Sequence, residues 1–413
     1  MSKQIFDQHR PRSTMAQRLD EAFAGCDEWT VIAAVLLLSL RRVLFLAAAL
    51  CRPRRLLSVP PDRSVTVVVP ARNESAVAPR LLASLSALEY PASRLRFIFV
   101  CDGCIDDTPG QFRAWAATRD DVRVLELPQR VGKAAALNAA LEIVDTELVA
   151  VLDADLAARP DYLLELVRPF ADERVAGAAA YLRPANADVN AVTRYAAVTS
   201  WVHQLVTSAG TDRLGLNPPT LGASAYRTSA LREIGGFPPL PVGEDVATSA
   251  RLTHQGWRTR FVVTAVAENT LVSSLRAYWR QHVRWTRSVL RVHSGHSVSS
   301  ASWAQRLEMH ASSIGYADRL AFAAAALGAM TGLIASWVPF VYLAPPALGI
   351  VAALLKARVG RRLPLYLLST AFVFAADLVA SVAAVVVHAS RRPYRWDNVR
   401  WNPVVVTARR DDP

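Results

Sequence analysis

Short β-branched runs alternate with helical stretches through the middle of the chain. "VTVVV" (65–69), "RFIFV" (96–100), "VRVLEL" (122–127) and "LVAVLD" (148–153) predict strands, and the stretches near 76–88, 106–118 and 133–144 predict the helices between them. The order βαβαβαβ implies a parallel sheet covered on both faces. Every strand ends in polar or turn residues: "PARNES", "CDGCIDDT", "PQRVGK" and "DADLAARP". Ligands of open α/β sheets bind at the carboxyl ends of the strands, so these four loops are expected to share one crevice. A less regular half follows, with a strand-like "VAGAAAYL" (175–182), a helical stretch near 188–209, the turn-rich "GLNPPTLGASAYR", a helix from Glu244, a strand "TRFVVTA" (259–265) and an amphipathic helix near 274–292.

The longest apolar runs flank this region. They are "VIAAVLLLSLRRVLFLAAAL" (31–50), a 36-residue run over 320–355 and "LPLYLLSTAFVFAADLVASVAAVVVH" (363–388). Several such runs clustered at the edges of an otherwise ordinary domain predict membrane insertion. The first starts behind a polar leader and lacks a small-residue cleavage pattern, so it is not a removable signal peptide. Arg41 and Arg42 fall near its middle, at about 2.5–3.5 kcal/mol each on insertion scales. It reads equally as a span whose arginines face a protein-lined, wet interior or an acceptor's phosphate, and as an interfacial or broken helix. The run over 320–355 fits a hairpin of two short helices turning at Trp337 to Phe340 or at Pro345-Pro346; a single kinked span would place the tail on the opposite side.

The net charge of +12 comes from 44 arginines and three lysines, and much of it lies beside the apolar runs: Arg52, Arg54 and Arg55, then Lys356, Arg358, Arg361 and Arg362, then Arg391, Arg392 and Arg395. Charge so placed sets topology and gives no reason to expect nucleic-acid binding; Arg52 to Arg55 put the 60–300 region on the cytoplasmic side. The arginine and alanine bias suggests a high-GC bacterial source. Four cysteines (Cys26, Cys51, Cys101 and Cys104) form no disulfide framework, and Cys101-x-x-Cys104 has no second pair to complete a zinc site.

Candidate chemistry concentrates in the strand-end loops. Asp153 and Asp155 stand one residue apart where a buried strand opens, placed to give hard oxygen ligands to a divalent cation that can neutralise a diphosphate, or to cap the next helix. Asp102 follows the second strand, where a carboxylate accepts hydrogen bonds from a base or ribose, with Gly103 allowing a tight turn and Asp106 placed to cap the helix after it. Gly132-Lys133 opens a helix, a position suited to phosphate. No serine or cysteine is placed for a nucleophilic triad.

Seven stretches in order, "VVVPARNES", "FVCDGCIDDT", "RVGKAAALNAAL", "VAVLDADLAARPDYL", "LGASAYRTSALREIGGF", "VGEDVATSARLTHQGWRTRF" and "RQHVRWTRS", resemble the inverting family 2 glycosyltransferases. The likeness is to the membrane-integrated branch with cellulose, chitin, hyaluronan and poly-N-acetylglucosamine synthases, and "QHVRW" is its most specific match. The resemblance covers roughly residues 60 to 290. It implies a GT-A fold, a mostly parallel sheet with helices on both faces, plus transmembrane helices at both ends. By the same resemblance Glu74 and Asp102 contact the uridine of a UDP-sugar, Lys133 lies near the nucleotide, and Asp155 with Asp153 binds Mg²⁺ or Mn²⁺. Asp245, beside Glu244, is the catalytic base. Gln281, Arg284 and Trp285 sit over donor and acceptor, with Arg284 toward the pyrophosphate and Trp285 stacking on the acceptor sugar; Gly222, Ala223 and Ser224 belong to the acceptor side. Two departures stand out: Cys101 and Cys104 replace the first aspartate and the serine of an Asp-Asp-Gly-Ser loop, and "TRSVLRVH" after the Arg-Trp is closer to lipid-glycosylating relatives similar to ceramide glucosyltransferase.

The expected division is a polar leader (1–28), a transmembrane or interfacial helix (29–51), a cytoplasmic catalytic domain (60–272), an amphipathic interface region (273–317), two or three transmembrane helices (318–388) and a basic tail (389–413). The expected protein is a multi-pass enzyme of the cell membrane that extends a β-linked polysaccharide from a UDP-sugar. The alternatives are transfer of one sugar to a lipid and, from another class, a non-catalytic membrane protein that senses a nucleotide sugar or binds a partner. An export or accessory partner is left open.

Overall fold

The computed structural model describes residues 28–51, 62–240, 243–292, 300–315, 318–332 and 334–389. The leader with Cys26, the arginines at 52–55 and the basic tail from 390 onward lie outside the described residues. The first half follows the alternation in the sequence: β1 (Val65–Ala71), α2 (Ala78–Ser86), β2 (Leu95–Asp102), α3 (Thr108–Ala116), β3 (Val122–Leu127), α4 (Lys133–Leu141) and β4 (Leu148–Leu152), all preceded by α1 (Glu28–Leu50). Successive strand side chains point to opposite faces, and both faces are packed. Val65, Val67, Val69, Phe97 and Phe99 meet α2 and α3 through Leu81, Leu85 and Phe112. Val68, Ile98, Val100, Val149 and Val151 meet α4 through Ala136, Leu137 and Leu141.

The second half adds β5 (Ala157–Ala158), α5 (Tyr162–Val167), β6 (Val175–Pro184), α6 (Ala191–Trp201), α7 (Ala209–Arg213), β7 (Ala223–Arg227), α8 (Thr228–Glu233), α9 (Glu244–His254) and β8 (Arg258–Asn269). The eight strands form one sheet in the order β3-β2-β1-β4-β7-β6-β8-β5. Strands β1 to β4 pair in parallel, whereas β7 runs antiparallel between β4 and β6, and β8 pairs parallel with β6. The sheet is thus mostly parallel, with a reversal at β4 that brings the Gly222 turn beside the end of β4.

Between α6 and α7 the rod winds as a π-helix over Val202–Ser208. Gln204, buried there, clamps β6 by accepting from the Leu182 amide (2.7 Å) and donating to its carbonyl (2.9 Å). At Gly210 α1 comes so close that an added Cβ would lie 2.5 Å from the Phe45 carbonyl oxygen.

After β8 come α10 (Leu275–Val292), α11 (Trp303–Gly315), α12 (Asp318–Met330), α13 (Val338–Lys356) and α14 (Leu363–Ala389). Two stretches among the described residues, Val338–Lys356 and Gly360–Ser381, are long and apolar enough to cross a bilayer. The break in the 320–355 run falls before α13, and Pro345 and Pro346 lie inside that helix. In α1, Arg41 is received by protein groups. Its Nε donates to Glu308 of α11 at 2.9 Å, its Nη2 reaches the other carboxylate oxygen and Ser312, and the guanidinium lies 4.6 Å over the Phe45 ring. Arg42 stacks 4.7 Å over Tyr342 of α13.

The close approach at Gly210 gives a stability test. Gly210→Ala forces α1 and α7 apart and is expected to cost about 1–3 kcal/mol, as overpacking does. Gly349→Ala, where an added Cβ meets nothing within 4 Å, serves as the neutral control. Thermal unfolding in detergent checks both.

Candidate active site

Backbone amides and short polar side chains stitch the strand-end loops to one another. The Glu74 amide after β1 donates to Thr108 Oγ1 (2.8 Å), the Ser75 amide to Asp106 (3.1 Å), and the Ile105 amide to Asn73 Oδ1 (2.9 Å). Asp106 also accepts from the amide and hydroxyl of Thr108, the first residue of α3, so it serves that helix start. Asp102, buried at the end of β2, accepts from the amides of Val131 (2.6 Å) and Gly132 (3.0 Å) in the next loop. That loop starts α4, whose Lys133 reaches back to β4. The expected crevice is therefore built by loops that hold one another. Cys101 and Cys104 are free thiols at its edge, with Cys104 Sγ 3.5 Å from the Ala71 carbonyl.

At the centre, the Lys133 ammonium stands 2.7 Å from Asp153 and 2.7 Å from Glu244. Burial pushes the Lys133 pKa down, but the charges of Asp153, Glu244 and Asp245 outweigh it and hold it well above the usual value. Burial likewise pushes Glu244 up, and the ammonium keeps it below the usual carboxylate range. Asp153 is raised, chiefly by burial. Asp155 is pushed up to about 6 by burial and by Asp153, with Lys133 and Arg284 opposing. Glu74 is pushed up to about 8, by burial first and then by Asp155 and Asp153. The carboxylates of β1 and β4 thus crowd one pocket, and Arg284 of α10 acts on it.

Gly243, with φ +84°, ends the loop before α9 in the left-handed region that glycine adopts freely. Glu244 and Asp245 then occupy the first turn, where the helix dipole favours negative charge. Burial and the neighbouring Glu244 push Asp245 up to about 7. Its backbone is fixed by a relay: Tyr226 Oη donates to Thr220 Oγ1 (2.9 Å), which donates to the Asp245 carbonyl (2.7 Å).

The structure brings Glu74, Lys133, Asp153, Asp155, Glu244, Asp245 and Arg284 to this end of the sheet, as the charges felt by one another show. Gln281 and Trp285 lie on the same helix as Arg284, and Trp285 is 41% exposed. The acceptor-side trio is divided. Ala223 and Ser224 are fully buried in β7, with Ser224 closing its own turn onto Leu221, whereas Gly222 faces Asp153. An added Cβ at Gly222 would fall 2.1 Å from Asp153 Oδ2, and the Gly222 carbonyl accepts from the Asp153 amide (2.9 Å). Sequence reasoning missed the Tyr226–Thr220 relay, because nothing in the spacing marks it. No group of three or more His, Cys, Asp or Glu arranged to hold a metal occurs among the described residues.

Residues 60–288 match the model of the family described as "Glycosyltransferase like family 2", which takes in more than half of the chain. The chain belongs to this glycosyltransferase family. Among its relatives, the β-monoglucosyldiacylglycerol synthase of Nostoc sp. is 29% identical over 227 residues, covering 54% of this chain and 48% of that one. The N-acetylglucosaminyltransferase of Neorhizobium galegae is 29% identical over 239 residues, 55% of each chain. The chain spans about half the length of the curated relatives it matches. Of solved structures, the mannosyltransferase PcManGT from Pyrobaculum calidifontis, in complex with GDP-Man and Mn²⁺, is similar in fold with a TM-score of 0.60 at 21% identity. The match covers 88% of this glycosyltransferase and 100% of that chain. The fold is accordingly GT-A.

Gly222→Ala tests the geometry. It is expected to displace the Asp153 carboxylate from Lys133 and lower turnover about 100-fold, the scale of an ångström-sized misplacement. Circular dichroism and unfolding temperature should stay close to those of the unaltered protein.

Proposed function

We propose that this glycosyltransferase moves a hexosyl or N-acetylhexosaminyl unit, with inversion, from a UDP-sugar to a saccharide acceptor, extending a β-linked chain at the cytoplasmic face of the cell membrane. The observation that carries this reading is the meeting of Asp153, Asp155, Lys133, Glu244, Asp245 and Arg284 at one end of the sheet. A single displacement needs one base and stabilisation of a departing diphosphate, and both are provided for.

Asp153 and Asp155 are the residues that would hold Mg²⁺ or Mn²⁺. They fit that role: both are hard oxygen donors, crowded with Glu74 into one buried pocket whose like charges raise one another's pKa. A dication bound there would offset the charge of the diphosphate. PcManGT, similar in fold, was solved in complex with GDP-Man and Mn²⁺.

The chain's own residues do the rest. Asp102 and Glu74 face the nucleoside, and Lys133 fixes the orientation of Asp153 and Glu244. Arg284 adds positive charge toward the leaving group, while Gln281 and Trp285 cover the acceptor, the indole offering a stacking face for a sugar. Asp245 takes the proton of the acceptor hydroxyl as its oxygen bonds to the anomeric carbon and the bond from that carbon to UDP breaks. Gly222 shapes the donor side through Asp153.

The membrane setting is supported by the two span-length apolar stretches packed beside the catalytic domain and by the arginines flanking them. A second reading makes the acceptor a membrane lipid that receives one sugar. The name of the Nostoc relative favours it, as does an apolar groove of about 420 Å³ between α1 and α13, lined by Leu46, Leu50, Leu348, Val351 and Leu355.

UDP release by detergent-solubilised protein, measured across UDP-sugars with Mn²⁺ or Mg²⁺ and with or without lipid, tests the proposal. Product masses then separate the two readings: a ladder supports chain extension, and a single mass formed only with lipid supports glycolipid synthesis. No release with any donor would refute both. Chelation by EDTA is expected to abolish turnover, and added Mn²⁺ or Mg²⁺ to restore it. Asp245→Asn is expected to lower turnover about 100- to 10,000-fold while leaving UDP affinity within about threefold, the range for loss of a general base. Because Asp245 must be ionised to act and a bound dication lowers its pKa, the rate should rise with pH along a limb lying at or below about pH 7. Asp245→Asn should lack that limb.

A further inference from the structure

Asp377 is the one acidic residue in the apolar stretch 363–389. It lies on α14, whose other face exposes Leu365, Leu368, Phe372 and Val379, and it is fully buried. A carboxylate in such a place is retained only where donors receive it. Tyr278 of α10 donates to its Oδ1 (2.8 Å) and Tyr195 of α6 to its Oδ2 (2.9 Å). The two rings pack against each other with centroids 5.6 Å apart.

The same face of α14 is tied at each turn before this one. Tyr366 donates to Asp188 (2.9 Å), Arg194 donates to Ser369 (2.8 Å), and Val373 is buried against the Tyr195–Tyr278 cluster. The spacing 366, 369, 373, 377 is one helical stripe, so these contacts fix both the rotation and the axial register of α14 against the catalytic domain.

On α10 the anchored residue leads directly to the Arg-Trp motif. The Tyr278 ring stacks on His282 with centroids 3.8 Å apart, and His282 lies 5.1 Å from Trp285. Tyr278, Gln281, His282 and Trp285 follow the i, i+3, i+4, i+7 pattern of one face. Arg284, whose charge acts on Asp153 and Asp155, sits beside them.

We propose that Asp377 is a positioning residue: by receiving Tyr278 and Tyr195 it locks α10 against the apolar helix α14 and so holds Arg284 and Trp285 over the Asp153–Asp155 end of the sheet. It touches no substrate. The part that concerns turnover rests on the proposed sugar transfer; the structural part does not.

Asp377→Leu removes the acceptor, whereas Asp377→Asn keeps one carbonyl oxygen and an amide that a tyrosine hydroxyl can accept. Hydrogen exchange on the full chain in detergent reads the position of the helix. Asp377→Leu should exchange faster than the unaltered protein across 281–285 but not in the strand-end loops at 102–104 and 131–133, and Asp377→Asn should restore protection. Unchanged exchange across 281–285, or the same acceleration in Asp377→Asn, would overturn the proposal. Kinetics give the second readout: Asp377→Leu should lose about 10- to 100-fold in kcat and weaken UDP binding as Arg284 moves from the pyrophosphate side, and an unchanged kcat would count against the proposal. Should Asp377→Leu fail to fold, Tyr195→Phe combined with Tyr278→Phe removes these two hydroxyl donors while keeping the rings, and the same criteria apply. If the unaltered protein turns over no donor, the functional reading fails, and the exchange pattern decides the positioning on its own.

Discussion

The Lys133 ammonium, set between Asp153 and Glu244, is the interaction on which the rest of the site depends. It joins the end of β4 to the start of α9, two elements far apart in the chain. Without it, Asp153, Asp155, Glu244 and Asp245 would bring four like charges into a buried pocket, where each raises the ionisation cost of the others. One compact cation, on an ammonium that hydrogen-bonds in several directions, lets Glu244 stay charged while Asp245, one residue on, keeps a raised pKa. Neighbouring carboxylates with diverging proton affinities are what a site with one structural acid and one base requires.

The sheet makes this meeting possible. Parallel strands β1 to β4 deliver Glu74, Asp102 and the Asp153–Asp155 pair to one edge, and the antiparallel β7 returns the Gly222 turn to the same edge. Close approach is then enforced by what is absent, since a methyl group at Gly222 would occupy the position of the Asp153 carboxylate.

The apolar helices are joined to the catalytic domain and to the interface helices α10 and α11 by sparse polar ties: Arg41 to Glu308, Asp188 to Arg362 and Tyr366, Arg194 to Ser369, and Asp377 to Tyr195 and Tyr278. Apolar packing alone leaves helices free to slide and rotate with little change in energy. A buried polar group has few arrangements in which it is satisfied, so these ties select one register. The same groups that look like defects in the apolar runs are the ones that specify how the runs dock.

Much of this was legible in the amino-acid order. The strand ends of β1 to β4 and the helices between them follow from local periodicity, because burial on both faces of a sheet and turn chemistry act over a few residues, whereas the family and the candidate set Glu74, Asp102, Lys133, Asp153, Asp155, Asp245 and Arg284 come from the resemblance of seven short stretches. Tertiary structure alone decided which groups meet. Nothing near Lys133 in sequence announces Glu244, nothing near Arg41 announces Glu308, and Asp377 reads as an isolated blemish until Tyr195 and Tyr278 arrive from other elements. The insertion of β7 likewise buried Ala223 and Ser224 and left only Gly222 at the site. The physical reason is that pattern and propensity are carried by neighbours in the chain, whereas charge compensation and hydrogen-bond satisfaction in a buried pocket are settled between residues that only the fold brings together.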